Sequence, residues 1–165
     1  MPHSVNVSVR NMVEFILRSG SIDAQFFRAS RAPEGIKTHQ RVQKLRKKEA
    51  NLSSAVYKSE VQLKITVLHR DILFTVDGRA DGIFTDGNSI VVEEIKSTLS
   101  PPRTFEKNTD HWHWAQAKCY GYMYVESLRE NVQKSGNVFT NEEGVASPAP
   151  PDEITIAIIY AHIET

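Results

Sequence analysis

The sequence predicts an α/β (α+β) fold in which a mixed central β-sheet is flanked by helices. Two observations predict it. The hydrophobic period changes from helical to alternating near Tyr57, and three alternating segments then follow one another. A long helical segment and a final apolar run come after them. The alternating segments predict a meander, and a strand, a helix and a strand in that order predict a right-handed crossover.

Two helices are predicted before the meander. Apolar residues recur at helical spacing over Ser8–Ser19, where Ser8 is a suitable N-cap and Gly20 a suitable stop. Because proline is tolerated in the first helical turn, a second helix is predicted to begin near Pro33 and to run to Glu49.

The meander is predicted from three successive segments. Apolar and polar side chains alternate in Tyr57–Leu68, as in a strand with one buried face. The second strand is predicted over Ile72–Thr85 and the third over Ser89–Lys96. The intervening Asp86-Gly87-Asn88 is a strong hairpin signal.

The last third of the chain supplies the crossover. A helix is predicted over Asp110–Arg129, an exposed loop over 134–152, and a strand buried on both faces over Glu153–Ile163. We expect residues 1–165 to form a single domain. The chain stops on its last strand, which suggests either a domain cut from a longer chain or one that ends at its last core element.

Composition excludes several classes of protein. With 40% apolar and 24% charged residues, the chain is expected to fold, and it lacks the run of about 18 apolar residues that a membrane span needs. No membrane partner is expected. The expected localisation is cytoplasmic. The single cysteine, Cys119, excludes a disulfide framework and an iron–sulfur cluster. Since 20 basic residues balance 20 acidic ones, a nucleic-acid partner would have to bind a local patch.

Candidate chemistry centres on the hairpin between the second and third strands. Glu94 and Lys96 share a face because side chains two apart on a strand do so. A two-residue turn would place Asp81 opposite Val92, and a four-residue loop would place it opposite Glu94. Either arrangement puts Asp81 on the same face, whereas a three-residue loop would not.

Neighbouring carboxylates on a sheet repel each other at a cost of roughly 0.2–1 kcal/mol, and a divalent cation removes that cost. Magnesium takes one or two carboxylates and leaves its other positions to water and substrate phosphate. A nearby lysine is a compact point charge that can hold a phosphate oxygen or orient a hydroxide. These parts suit phosphodiester hydrolysis. The competing interpretation is a surface hairpin with scattered charges.

The pattern G-x-x-D, a turn and E-x-K, with an upstream helical histidine and a downstream Q-x-x-x-Y, resembles the PD-(D/E)XK nuclease superfamily. Within it, the chain looks like the RecB-like exonuclease branch. The segments SVRNMVEFILRSGSID and EGIKTHQRVQ look closest to nuclease domains fused to DinG-like helicases. The resemblance covers about residues 8–130 and the final strand, and it implies a restriction-endonuclease-like fold.

The resemblance also implies two overlapping sets of site residues. The implied ligands of Mg²⁺ or Mn²⁺ are His39, Asp81, Glu94 and the backbone carbonyl of Ile95. The implied catalytic residues are Lys96, Glu94, Asp81, Glu60, Gln116 and Tyr120.

The residues alone leave alternatives open for three of them. His39 would also suit a packed helix histidine, Glu60 a solvated residue on a polar strand face, and Gln116 an ordinary member of an amphipathic helix. Glu93 should point away from Glu94, and we expect it to have a structural role, such as pairing with a flanking helix.

Six cations cluster on the predicted second helix and are candidate nucleic-acid contacts: Lys37, Arg41, Lys44, Arg46, Lys47 and Lys48. Each alone is typical of a solvated helix face, but as a group beside an acidic pocket they favour a polyanion. Phosphate contacts of this kind carry no sequence information.

A second cluster is His111-Trp112-His113-Trp114. Paired histidines can bind zinc and tryptophans can stack on bases. Histidines two apart at a helix start do not face each other well, however, and tryptophans there are more often core residues. A zinc module ranks last among the hypotheses.

Together with the candidate site residues, the resemblance implies a metal-dependent (exo)deoxyribonuclease that hydrolyses phosphodiester bonds in single- or double-stranded DNA. Its expected setting is repair or recombination beside a helicase, in the same longer chain or in trans. The alternative is a catalytically weak nuclease-like fold that binds nucleic acid or docks a helicase. The intact set of Asp81, Glu94 and Lys96 favours the first, because a degenerate site would be expected to lose one of them.

Overall fold

The structure, a computed structural model, describes residues 3–17, 32–87, 89–99, 111–134 and 154–163. Its elements in chain order are β1 (His3–Ser8), α1 (Val9–Ile16), α2 (Ala32–Ser53), β2 (Val56–His69), β3 (Ile72–Asp86), β4 (Ser89–Thr98), α3 (His111–Lys134) and β5 (Thr155–His162). The strands form one five-stranded mixed sheet that the helices flank, which confirms the predicted fold class.

The sheet is built around β3. Strand β2 pairs with it antiparallel along one edge, from Val56↔Thr85 to His69↔Ile72, with one interruption between Glu60 and Asp81. The other edge of β3 is shared: β1 lies parallel beside residues 72–77, and β4 lies antiparallel beside residues 82–86. Strand β5 then pairs parallel with β4. The meander and the parallel pairing that a crossover requires are therefore both confirmed.

An opening lies between β1 and β4 along that shared edge. Residues 78–81 of β3 pair with neither strand, and residues 94–98 of β4 continue beyond its last pair with β3 while still pairing with β5. We call this opening, formed by residues 78–81 and 94–98, the fork. At the fork, β3 and β4 separate, and their backbones form no ladder there.

Two apolar clusters hold the layers together. The larger lies under α1 and α3, where Val9 and Val13 of α1 and Tyr120 and Met123 of α3 pack on the sheet. The smaller lies under α2 and consists of Val42, Ile95 and Ala161, with Ile159 packed against it. The sheet is thus covered on both faces.

The predicted element boundaries hold within a few residues. Ser8 caps α1 by accepting a hydrogen bond from the Asn11 backbone N–H at 3.1 Å, as predicted. Helix α2 continues to Ser53 and α3 to Lys134, each about one turn past its predicted end. The predicted stop at Gly20 and residues 135–152 of the predicted loop lie outside the described residues.

Two corrections concern the strands. Strand β1 was not predicted, because it is short, polar and largely exposed, and its partner β3 lies about 70 residues away. Strand β5 was predicted to be buried on both faces but is mostly half-buried, since β4 is its only partner among the described strands. Within the described ranges, no helix combines the length and apolar composition needed to cross a membrane.

Candidate functional site

The hairpin between β3 and β4 sets the register of the site. The backbone pair next to the turn is Asp86↔Ser89, and Thr85 pairs with Ile90. This is the register that was predicted for a four-residue loop, with Asp81 opposite Glu94. The ladder ends at Gly82↔Glu93. One further step of the same register sets Asp81 beside Glu94, at the mouth of the fork.

Side-chain alternation along β3 breaks at Asp81. Ala80 and Ile83 both belong to the core under α1 and α3, although they are three residues apart and a regular strand would place them on opposite faces. Gly82 lies against the Tyr57 hydroxyl group, and Phe84 lies beneath Arg46 of α2, so both face the other side. Asp81 therefore lies where the regular alternation of β3 side chains between the two faces of the sheet is interrupted.

The opposite strand breaks at the same level. The β2–β3 register passes from Ser59↔Gly82 to Val61↔Ala80 with no pair between Glu60 and Asp81. Glu60 has a φ of 57°, in the left-handed region that costs a residue with a side chain about 1–2 kcal/mol. Such a conformation persists only where surrounding contacts hold it. Strained backbone conformations of this kind are often found at functional sites.

Asp81 makes three contacts that link β3, β4 and α2. Its Oδ2 accepts a hydrogen bond from the Ile95 backbone N–H at 2.7 Å. Its Oδ1 lies 3.5 Å from His39 Nδ1, and its carbonyl oxygen accepts a hydrogen bond from Gln43 Nε2 at 3.0 Å. The carboxylate thus occupies the place of a strand carbonyl in the fork, and the predicted neighbourhood of His39 and Asp81 is present.

Glu94 is buried in the fork, with 4% of its surface exposed. Its Oε1 lies 2.7 Å from Lys96 Nζ, whereas its buried Oε2 has no hydrogen-bond partner among the described residues. Burial raises the pKa of Glu94 to about 7, the charge of Lys96 opposes this rise, and the nearby Asp81 adds to it. This carboxyl group therefore takes up a proton more readily than an ordinary glutamate.

Lys96 is held by a chain of polar side chains from α3. Its Nζ donates to Gln116 Oε1 at 3.0 Å, and Gln116 Nε2 donates to the Tyr120 hydroxyl group at 3.3 Å. Tyr120 is buried, and burial raises the pKa of its hydroxyl group. The hydrogen bond from Gln116 and the backbone of Arg79 oppose this rise in pKa. The two polar residues of the Q-x-x-x-Y pattern thus lie beside the fork and orient Lys96.

Glu60 lies at the edge of this arrangement. Its Oε2 pairs with Arg79 Nε at 2.6 Å, and its Oε1 accepts a hydrogen bond from Gln43 Nε2 at 2.7 Å. Gln43, which the sequence analysis did not single out, connects Glu60 to the backbone of Asp81. Its position four residues after His39 on a helix was the available signal, because residues at that spacing share a face.

The donors in the fork suit a hard divalent cation. The described residues contain no group of three or more His, Cys, Asp or Glu side chains arranged as a metal site. Magnesium and manganese sites, however, need only one or two carboxylates beside water and phosphate. The Asp81 carboxylate and the buried Glu94 Oε2 are two oxygens of the kind that such a site would use.

The six cations of α2 divide into two groups. Positions 37, 41, 44 and 48 recur along one side of the helix, which we call the outer stripe. Its lysines are exposed, and Arg41 donates to the His162 carbonyl oxygen at 2.7 Å. Positions 39, 43, 46 and 50 form the inner stripe, which faces the sheet. Lys47 is exposed between the two stripes.

Arg46 belongs to the inner stripe and is bound within the protein. It forms an ion pair with Glu93, which is only 1% exposed, and its guanidinium lies 4.6 Å from the centre of the Phe84 ring. The structural role expected for Glu93 is confirmed. Contact of Arg46 with nucleic acid stays a prediction that this placement does not favour.

The histidine and tryptophan cluster lies at the start of α3. His111 is exposed, while His113 Nδ1 lies 3.1 Å from the Tyr160 hydroxyl group of β5. Trp112 packs against the larger core, as expected of a core residue. Cys119 is half-buried on the same helix.

Comparison with known proteins supports the fold alone. No family model matches the chain, and no curated protein does. The crystal structure of SSO0001 is similar, with a TM-score of 0.51 and 20% sequence identity over 72% of this chain and 56% of that one. The chain thus spans little more than half the length of SSO0001. At this identity the likeness concerns the path of the backbone and carries no statement about activity.

Proposed function

We propose that this chain is a divalent-metal-dependent nuclease that hydrolyses phosphodiester bonds in DNA. One observation carries the proposal: Glu94 Oε2 is buried without a hydrogen-bond partner among the described residues, and the charge of the nearby Asp81 adds to the raised pKa of Glu94. A buried acceptor without a partner is costly, and two neighbouring carboxylates repel. A bound cation relieves both penalties.

Asp81 and Glu94 would hold the metal, with the Ile95 carbonyl and His39 as further proposed ligands. Mg²⁺ or Mn²⁺ would lower the pKa of a bound water and neutralise charge on the phosphate oxygens. His39 has a second contribution that needs no ligation, because its imidazole beside Asp81 Oδ1 restricts the orientation of that carboxylate.

Lys96 would bind the substrate phosphate. Its ammonium group has three N–H donors, and Glu94 and Gln116 are partners for two of them. The third remains for a phosphate oxygen that enters the fork. Gln116, fixed in turn by the buried Tyr120, restricts the side chain so that little rotational freedom is lost on binding.

The outer stripe supports a polyanionic substrate. Lys37, Lys44 and Lys48 are exposed along one side of α2, with Lys47 beside them. This side lies roughly opposite His39 on the helix, so a DNA strand that contacts it would do so away from the scissile phosphate. Because such contacts read phosphates only, we propose cleavage without base specificity.

The sequence resemblance supports the setting of the reaction. We propose that the chain acts in the cytoplasm beside a helicase motor, in the same longer chain or in trans, during DNA repair or recombination. Within the described residues the exposed cations of α2 cover only a short stretch of backbone phosphates, which agrees with a nuclease that depends on a motor to hold the substrate.

A cleavage assay tests the proposed function. Labelled single- and double-stranded DNA would be incubated with Mn²⁺ or Mg²⁺, with and without EDTA, using wild type, Lys96→Ala and the control Lys64→Ala. Lys64 is exposed on β2, and its cross-strand partner is Asp77, outside the fork. We expect EDTA to abolish cleavage and Lys96→Ala to slow it roughly 100-fold or more, with Lys64→Ala unchanged.

Two results would count against this activity. Cleavage that survives both EDTA and Lys96→Ala contradicts the assignment of the site. DNA that is bound but never cut in the presence of Mn²⁺ identifies the alternative, a nuclease-like fold that serves as a binding or docking module.

A further inference from the structure

Helix α2 contacts Asp81 at two separate points. His39 Nδ1 lies 3.5 Å from the carboxylate oxygen Oδ1, and Gln43 Nε2 donates to the carbonyl oxygen at 3.0 Å. The two side chains are four residues apart and so lie on the same face of the helix. One helix therefore restrains both the side chain and the backbone of this residue.

Gln43 also joins the two strands where their ladder is broken. Its amide group carries two N–H donors, and its acceptors are Glu60 Oε1 at 2.7 Å and the Asp81 carbonyl oxygen at 3.0 Å. Glu60 and Asp81 face each other across β2 and β3 without a backbone pair. The side chain thus supplies the cross-strand link that the backbone lacks at this step.

The conformation of Glu60 depends on such a link. Its φ of 57° is unfavourable for a residue with a side chain, so contacts must hold it. Its ion pair with Arg79 is largely exposed and therefore weak. The hydrogen bond from Gln43 is partly buried and is the stronger restraint.

We propose that Gln43 is a positioning residue for the fork. By bridging Glu60 and Asp81 it maintains the break in the β2–β3 ladder, and with it the reversal of side-chain facing that directs the Asp81 carboxylate to the Ile95 N–H. Its effect on metal affinity rests on the proposed function. The positioning itself requires no metal and is a property of the protein alone.

The test compares Gln43→Met with Gln40→Met. Methionine matches glutamine in length but lacks the amide donors, and Gln40 is exposed on the same helix. The first readout is amide hydrogen exchange at Ile95 in metal-free protein, followed by NMR. We expect it to be at least about 10-fold faster in Gln43→Met, with exchange at Val92 unchanged. The second readout is Mn²⁺ affinity by calorimetry, which we expect to fall about 10–100-fold.

Equal exchange at Ile95 in the two variants overturns the proposal. If the wild type binds no Mn²⁺, the proposed function fails, while the exchange at Ile95 still decides the role of Gln43. If Gln43→Met does not fold, Gln43→Asn takes its place, because its amide is one methylene too short to reach both acceptors. The same faster exchange is expected of it, and unchanged exchange contradicts the proposal.

Discussion

The Asp81 carboxylate accepts a hydrogen bond from the Ile95 backbone N–H at 2.7 Å, at the point where β4 has left β3. A side-chain oxygen there takes the place that a strand carbonyl has elsewhere in the sheet. Because Glu94 and Lys96 flank Ile95, this bond fixes the acidic and basic groups of the fork relative to β3, while pairing with β5 holds the other edge of β4. Asp81 therefore has a structural role that is separable from its charge.

Substitution of Asp81 by asparagine separates the two roles. The amide oxygen of Asn can still accept the Ile95 N–H, but the negative charge is lost. We expect Asp81→Asn to bind Mn²⁺ at least about 10-fold more weakly in calorimetry while its melting temperature stays close to that of wild type. Asp81→Ala should lose both metal affinity and stability. Undiminished Mn²⁺ binding by Asp81→Asn would contradict the proposed ligand role.

The raised pKa of Glu94 predicts a pH-dependent stability. Its pKa is about 7 in the folded protein and about 4.5 when unfolded, so between these values the folded state holds more protons. The free energy of unfolding of the metal-free protein should therefore decrease as pH rises from about 4.5 to 7. We expect Glu94→Gln to lack this loss, with a difference on the order of 2 kcal/mol in urea unfolding between pH 5 and pH 8.

Parallel stability curves for wild type and Glu94→Gln across this range would show that Glu94 titrates normally. Glu60→Gln is a suitable comparison, since Glu60 is considerably more exposed than Glu94. The Glu60→Gln variant should show the same pH dependence of the free energy of unfolding as wild type.

The pair of Arg46 and Glu93 predicts a large loss of stability on truncation. Glu93 is 1% exposed, so Arg46→Met would leave a buried carboxylate without its cation. We expect a loss of about 3–5 kcal/mol in the free energy of unfolding. The exposed pair of Arg10 and Glu14 is the control, and Arg10→Met should cost no more than about 1 kcal/mol. Equal effects of the two substitutions would refute the structural role of Arg46.

The outer stripe predicts a salt-dependent contribution to DNA binding. Replacement of Lys37, Lys44 and Lys48 by glutamine should weaken binding to all DNA sequences alike. It should also reduce the dependence of log affinity on log salt by about 0.7–0.9 for each phosphate that is no longer neutralised. Mn²⁺ affinity should not change, because these residues lie on the side of α2 away from the fork. A salt dependence equal to that of wild type would show that the outer stripe does not contact DNA.

Local patterns were sufficient to predict most of the fold. The alternation of β2 and the hairpin signal before Ser89 predicted the meander, and the spacing of two residues on one strand predicted that Glu94 and Lys96 share a face. These features depend on neighbours in sequence. In contrast, β1 pairs with a distant strand and is largely exposed, so its apolar pattern is weak.

The finer geometry of the site depends on tertiary contacts that the sequence does not reveal. The prediction that Asp81 shares a face with Glu94 assumed a regular strand, whereas the alternation of β3 breaks at Asp81, across from the left-handed Glu60. A glutamate gives no local indication of such a conformation. Similarly, Arg46 resembles its lysine neighbours in sequence, and only the packing of α2 on the sheet pairs it with Glu93.

The most direct measurement is an anomalous difference map from a crystal soaked in Mn²⁺. We predict a manganese peak in the fork in contact with the carboxylates of both Asp81 and Glu94, with Lys96 displaced from Glu94 Oε1 or sharing it. A map at saturating Mn²⁺ with both carboxylates ordered and no peak between them would contradict the metal site and, with it, the proposed nuclease activity.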